Sequence, residues 1–309
     1  MSREKWTTTD IPDLSGKVII VTGGNIGLGY ESVKAFSEKG AEVILACRSI
    51  EKGDKAKAEI EKNGIKGKIV VMQLDLADLE GIKGFVKEFR SAYTRLDVLL
   101  NNAGIMTTPY FLTKDGFEGQ MGTNHLGHYA LTGSLMDLII STPGSRVVNV
   151  SSSGHKAGKM DFDNLLFDKG EGYGRMKAYG RSKLSNLLFT YELQGFFETN
   201  KIDSLALAAH PGGSQTNLDQ HVNKMWWFKL IRPLFYAMTQ SAAMGALPEI
   251  RASVDPDVKG GQYYGPDREM TGYPVIVKSN KASHNSEDAR KLWEESEKLT
   301  GVKIAAKKV

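Results

Sequence analysis

Six short runs, each apolar throughout and most followed by a helix-length amphipathic stretch, constrain this chain more than any other feature. They are KVIIVTG from Lys17, AEVILAC from Ala41, GKIVVMQLD from Gly67, LDVLLNNAG from Leu96, SRVVNVSSS from Ser145 and DSLALAAHPG from Asp203. A strand with one wet face alternates apolar and polar residues. An unbroken apolar run is instead buried on both faces, as parallel strands are when helices cover both sides of the sheet. Helical stretches lie between the runs, over residues 50–63, 79–93, 117–139 and 179–200. Strand–helix alternation of this kind predicts an α/β protein built on a doubly wound parallel sheet. No linker, repeat or low-complexity tract divides it, so a single domain is expected, with a less regular region from about Leu218 onward. On such a sheet ligands bind beyond the carboxyl ends of the strands. The unusual motifs of this chain cluster there.

Composition narrows the function. Hydrophobic residues make up 41% and charged residues 25% of the chain, enough apolar content for a packed core. The 40 basic and 36 acidic residues are spread along the sequence, and the net charge of +4 gives no basic patch for nucleic acid. The single cysteine, Cys47, excludes an internal disulfide and a thiolate metal cluster. No apolar stretch of about 18 residues offers a membrane span, and the N-terminal residues do not resemble an export signal. A cytoplasmic protein is expected, and the Asn149-Val150-Ser151 sequon reads as accidental. A homodimer would be compatible with the helix faces.

The first run ends in TGGNIGLGY, with glycines at 23, 27 and 29 between a strand and a helix. Side-chain-free residues there let a pyrophosphate approach the backbone, with helix N–H groups turned toward the anion. The second run ends at Cys47-Arg48-Ser49, without the acid that would accept from a ribose 2′-hydroxyl. An arginine at this place suits a 2′-phosphate, which favours NADP (NADPH) over NAD. Asp75, closing the third run, could accept from an adenine amino group or cap the next helix.

Tyr179 and Lys183 are four residues apart, on one face of a helix. A nearby ammonium group favours the phenolate of a tyrosine whose ordinary pKa is about 10, bringing it toward neutral pH as an acid/base. Ser151, Ser152 and Ser153 follow the fifth run and offer a hydroxyl to hold a carbonyl oxygen. Asn124 lies inside a helical stretch, where it either faces solvent or holds a water that relays protons.

Together Thr22-Gly23-x-x-x-Gly27-x-Gly29, Asp75, Asn101-Asn102-Ala103-Gly104, Asn124, the serine run, Tyr179-x-x-x-Lys183 and Pro211-Gly212 with Thr216 resemble the short-chain dehydrogenase/reductase family. The likeness runs from about Gly16 to Thr216 and is nearest to its retinol-dehydrogenase-like branch, which is also similar to protochlorophyllide reductases. It implies a Rossmann-type sheet of about seven strands and a catalytic tetrad of Asn124, Ser152, Tyr179 and Lys183. It further implies cofactor contacts from Gly23, Asn25, Gly27, Leu28, Gly29, Arg48, Asp75 and Leu76. Asn102, Ala103 and Gly104 would serve the ribose side, Tyr179 and Lys183 the nicotinamide end, and Thr216 the carboxamide. One departure is Ile26, where many NADP-using relatives carry serine or a basic residue, so the NADP expectation rests on Arg48 and Ser49. The implied activity is interconversion of an alcohol and its aldehyde or ketone. The alternative is a catalytically silent NADP-binding sensor.

The segment KMWWFKLIRPLFYAM, residues 224–238, holds adjacent aromatics that cannot all face one core, since neighbouring helical positions diverge by about 100°. With residues 217–309 as lid and C-terminal region, Ser152, Trp226 and Trp227 are expected to contact a small lipophilic carbonyl or alcohol. His125 and His128 lack a third ligand, and no metal is expected. His155 and His210 read as packing or hydrogen-bonding residues.

Overall fold

The computed structural model describes residues 5–62, 64–214 and 239–306. The six apolar runs form six parallel strands: β1 (Val18–Thr22), β2 (Glu42–Cys47), β3 (Lys68–Gln73), β4 (Val98–Asn101), β5 (Ser145–Val150) and β6 (Ser204–Ala209). Two further strands, β7 (Tyr263–Pro266) and β8 (Pro274–Ile276), complete one sheet in the order β3-β2-β1-β4-β5-β6-β7-β8. Eight strands rather than about seven is a correction with a simple cause. β7 reads YYGP and β8 is three residues long, pairing antiparallel at the sheet edge, where proline costs no ladder bond. Neither segment offers an apolar run to recognise.

The sheet is covered on both faces by alternate residues of the same strands. Ile19, Val21, Val43, Leu45, Leu100 and Val148 point to one side, against Val33 and Phe36 of α1 (Gly27–Glu38). Ile60 of α2 (Ile50–Glu61) and Leu247 and Ile250 of a later helix join the same cluster. Ile20, Ile44, Leu99 and Val147 point to the other, against Phe85 and Phe89 of α3 (Leu79–Ala92). Burial on both faces explains why the runs do not alternate. Each fully buried Ile or Leu contributes about 1.5–3 kcal/mol relative to leaving it exposed.

The helix expected over residues 117–139 runs unbroken over 119–134, with one π-helical turn inside it, and breaks at Leu135. A short turn, α4 (Gly119–Met121), passes into a π-helical turn over Gly122–Leu126, then α5 (Gly127–Ser134) and α6 (Met136–Ser141). Gly127 lets this helix press on the strand-end loop, because a Cβ there would lie 2.3 Å from the Leu76 carbonyl oxygen. The long helix α7 (Arg175–Thr199) starts one turn before the expected boundary.

The region after Leu218 was expected to be less regular, and its described part is not. It holds α8 (Ala242–Val254), both edge strands and α9 (Ser286–Thr300). Asn285 caps α9 by accepting from the Glu287 and Asp288 N–H groups, and Gly301, at φ 67°, ends it. Trp293 inserts among Tyr129 of α5 and Phe189 and Phe196 of α7, with ring centroids 5.8–5.9 Å away. Among the described residues no helix is long and apolar enough to cross a membrane.

Candidate active site

The strand order reverses between the neighbours β1 and β4, and the crevice at their carboxyl ends is where the glycine turn lies. Gly23 and Gly27 adopt φ of 68° and 59°, conformations that side chains rarely take. Gly29 is held by contact instead: a Cβ there would sit 2.5 Å from both Asn102 Nδ2 and the Gly23 carbonyl oxygen. The N-cap of α1 is Ile26, which gives no side-chain hydrogen bond, so the first-turn N–H groups are left for an anion. Asn25, Gly27, Leu28 and Gly29 all belong to this turn.

A hydrogen-bond lattice fixes the crevice. The Asn102 amide donates to the Thr22 carbonyl at 2.7 Å, and the Ala103 N–H donates to the Thr22 hydroxyl at 2.9 Å. His128 extends the lattice. Burial pulls its pKa down to about 4, so the ring is neutral. Its Nδ1–H donates to the Asn124 carbonyl at 3.0 Å, and its Nε2 accepts from the Thr22 hydroxyl at 2.9 Å. One imidazole thus ties β1 to the π-helical turn. His125 faces away, its Nε2 meeting Ser296 of α9 at 2.8 Å.

At the carboxyl end of β2, Arg48 is exposed and has no ion-pair partner among the described residues. Its carbonyl accepts from Gln73 at 3.2 Å, while Ser49 caps α2. Asp75 accepts from the Ala77 N–H at 3.0 Å; the cap of α3 is Asp78. Leu76 beside it is buried under Gly127.

Tyr179, Ser152 and Lys183 come together at the ends of β4 and β5. A Cβ on Gly154 would lie 3.0 Å from the Tyr179 ring and 3.4 Å from Ser152 Oγ, so tyrosine and serine flank the same glycine. A Cβ on Gly104 would lie 3.3 Å from Asn124 Oδ1 and 3.4 Å from Lys183 Nζ. The ammonium donates to the Val150 carbonyl at 2.9 Å and stands 6.0 Å from the Tyr179 ring centroid. Burial pulls Lys183 down to about 8, which still leaves it mostly cationic at pH 7. Glu249 is the buried carboxyl nearest in effect, but its own burial pushes it up to about 8 although Ser32 donates to it at 2.7 Å.

The three serines have different duties. Ser151 donates to the Lys183 carbonyl at 2.8 Å, tying β5 to α7. Ser152 accepts from the Gly154 N–H at 3.1 Å, leaving its own proton to donate, and Ser153 opens the following 3-10 turn. Asn124 is fully buried rather than solvent-facing. Its Oδ1 accepts from the Ile105 N–H, and its amide donates to the Ile105 carbonyl and to Ser182 Oγ, all at 2.8–2.9 Å. Ser182 in turn donates to the Tyr179 carbonyl at 2.9 Å. Sequence reasoning missed Ser182 as a support, because nothing about a serine between Tyr179 and Lys183 reveals a partner 58 positions away. Thr216, Trp226 and Trp227 lie outside the described residues, as does the whole aromatic segment 224–238.

A family model described as short chain dehydrogenase matches residues 17–226. Retinol dehydrogenase 14 of Mus musculus is 37% identical over 305 residues, covering 94% of this chain and 87% of that protein. Retinol dehydrogenase 11 of Homo sapiens is 36% identical over 296 residues, covering 96% and 89%. The crystal structure of an uncharacterised protein from Mycobacterium paratuberculosis superposes with a TM-score of 0.81 at 36% identity, over 98% of this chain and 100% of that one. The Pseudomonas aeruginosa RhlG/NADP complex shares the fold at 19% identity, with a TM-score of 0.64 over 82% of this chain and 95% of that one.

Proposed function

The chain belongs to the short-chain dehydrogenase family, and on that premise we propose that it is an NADP(H)-dependent oxidoreductase interconverting a lipophilic alcohol and its aldehyde or ketone. The observation that carries this reading is the convergence of Tyr179, Ser152 and Lys183 on one end of the sheet, beside a glycine turn with an uncapped helix. That turn fits a pyrophosphate, since its glycines leave backbone exposed and its N–H groups are free of side-chain caps.

When bound, a nicotinamide supplies or accepts the hydride. The chain's own residues handle the oxygen and its proton. Ser152 donates to the substrate oxygen, which orients the carbonyl and stabilises negative charge as it grows. Tyr179 gives its phenolic proton to that oxygen during reduction and takes it back during oxidation. Lys183 faces the ring as a buried cation and stabilises the phenolate left behind. Asn124, with all its amide protons spent on Ile105 and Ser182, locks the loop after β4 against the helix that carries Tyr179.

Two features favour a lipophilic substrate: the retinol dehydrogenases among the relatives, and the exposed apolar side chains of Phe111, Leu112 and Met176. The first two follow β4 and the third precedes Tyr179 by one helical turn.

The choice of NADP rests on Arg48, an exposed guanidinium at the end of β2 without an ion-pair partner among the described residues, and is tested there. Arg48→Asp places like charge against a 2′-phosphate. The ratio of kcat/KM for NADPH over NADH is expected to fall by at least about 100-fold, since a charge-assisted hydrogen bond is replaced by repulsion. A wild-type enzyme that already prefers NADH, or a ratio untouched by the substitution, contradicts the assignment.

A further inference from the structure

Between Tyr179 and Lys183 on α7 stands Arg181, a fully buried arginine that the proposed chemistry does not use. Two positions from each of them, it points away from both. Its guanidinium gathers the segment that precedes α7. Nε donates to the Lys159 carbonyl at 3.2 Å, and Nη1 donates to the Asn164 and Leu165 carbonyls at 2.6 and 2.8 Å. Its face lies over the Phe167 ring, 4.1 Å from the centroid. The carboxylate partner, Asp161, is half-exposed and stands 3.4 Å away, so this charge is held mainly by backbone oxygens. Burying a cation costs desolvation, and an apolar side chain of similar volume would fill the space without that cost.

Phe167 passes the constraint on. Its ring meets Tyr173 edge-on at 5.4 Å, and Tyr173 meets Tyr110 in the same way at 5.3 Å. The Tyr173 hydroxyl donates to the Thr108 carbonyl at 2.8 Å and accepts from the Gln120 amide at 3.0 Å. Gln120 Oε1 in turn accepts from the Thr107 N–H at 2.9 Å. Residues 159–173 and the loop after β4 are thereby joined to the helix that carries Tyr179. Both hold side chains at positive φ: Phe167 at 54°, Lys169 at 49° and Thr107 at 52°. Such conformations last only where the surroundings impose them. Both segments also border the reacting centre. The loop leaves from Gly104, where a Cβ would lie 3.4 Å from Lys183 Nζ, and it carries the exposed Phe111 and Leu112. The other segment runs into α7, where the exposed Met176 lies one turn before Tyr179 on the same face.

We propose that Arg181 is a positioning residue that sets substrate size selectivity: through Phe167 and Tyr173 it fixes the two segments that flank the substrate's tail, without touching substrate itself. This rests on the oxidoreductase reading above and assigns the lipophilic tail its place.

The test pairs kinetics on aldehydes of graded chain length, with NADPH, and hydrogen exchange of the protein read by mass spectrometry. Arg181→Met keeps the stem and removes every donor. Tyr173→Phe keeps the ring and cuts only the link to Thr108 and Gln120, so it carries the test if Arg181→Met fails to fold. In each variant KM for long-chain aldehydes is expected to rise about 10- to 100-fold, while kcat and the short-chain KM stay within about two-fold. The double variant loses no more selectivity than the larger single effect, since both changes break one chain of contacts. The pH profile, set by Tyr179 and Lys183, does not move. In Arg181→Met, exchange quickens in 159–173 and also in 105–112, which the guanidinium does not touch. A ratio of long- to short-chain KM that the variants keep, or equal loss at every chain length with a lower melting temperature, overturns the selectivity role and leaves the enzyme reading intact. Faster exchange confined to 159–173 overturns the coupling. Wild type that turns over no aldehyde, while exchange in Arg181→Met still spreads to 105–112, overturns the enzyme reading and supports the coupling. No turnover together with confined exchange overturns both.

Discussion

Tyr179→Phe is expected to bind NADPH as wild type does and to lose about 10²–10⁴-fold in turnover, the range typical of a general acid–base group. The substitution keeps the ring and removes one oxygen, so the packing of a side chain that is 6% exposed is preserved. Gly154 and Ser152 keep their places against the ring edge, and substrate can still be oriented by the serine. What disappears is the proton that must reach the alkoxide oxygen. Steady-state kinetics with a good carbonyl substrate, paired with a fluorescence titration of NADPH, separates the two effects. Near-native turnover would remove Tyr179 from the chemistry.

Lys183→Met is expected to lose at least as much turnover and to weaken NADPH as well, because one cation serves both the phenol and the cofactor. The fold should tolerate it. Methionine matches the lysine stem in length, and the Val150 carbonyl that loses its Nζ donor still accepts from the Asn186 amide at 3.0 Å. Burial already disfavours the charge, holding Lys183 at about 8 instead of 10.5, so removing the ammonium relieves a cost of desolvation. The pH profile gives a signature that a structural role would not. Alcohol oxidation requires the phenolate, and a phenolate without its neighbouring cation forms only at higher pH. The rise in oxidation rate therefore moves toward alkaline pH in Lys183→Met. An unshifted profile would mean that the lysine does not act on the tyrosine.

The central part of this fold was legible because its physics is local. A parallel strand buried on both faces must be apolar throughout, and β1 to β6 are. The glycine turn was legible for the same reason, since a tight turn against an anion permits few residues other than glycine. What was hidden depends on partners far away in the chain. β7 and β8 are short edge strands whose Tyr, Gly and Pro content reads as loop. The amphipathic stripe of α9, with Ala289, Leu292, Ser296 and Thr300 facing inward, becomes meaningful only once α5 and α7 present a surface for it. The π-helical turn at Asn124 runs directly into Gly127, which meets Leu76 about 50 residues away in the chain, and no local propensity announces either. The serine run shows the limit most clearly. Three identical side chains carry no local signal that ranks them, and only the family likeness singles out Ser152; their partners differ: Ser151 is committed to the Lys183 carbonyl, while Ser152 keeps a proton beside Tyr179.

The account stands most directly on hydride transfer itself. NADPH carrying deuterium at its transferable position, incubated with a panel of aliphatic, aromatic and terpenoid aldehydes and ketones, is followed by mass spectrometry of the products. The predicted result is an alcohol with one deuterium on its carbinol carbon, formed from at least one lipophilic member of the panel and suppressed in Tyr179→Phe. NADPH that binds tightly but delivers no deuterium to any carbonyl would contradict the account and identify a silent cofactor-binding protein instead.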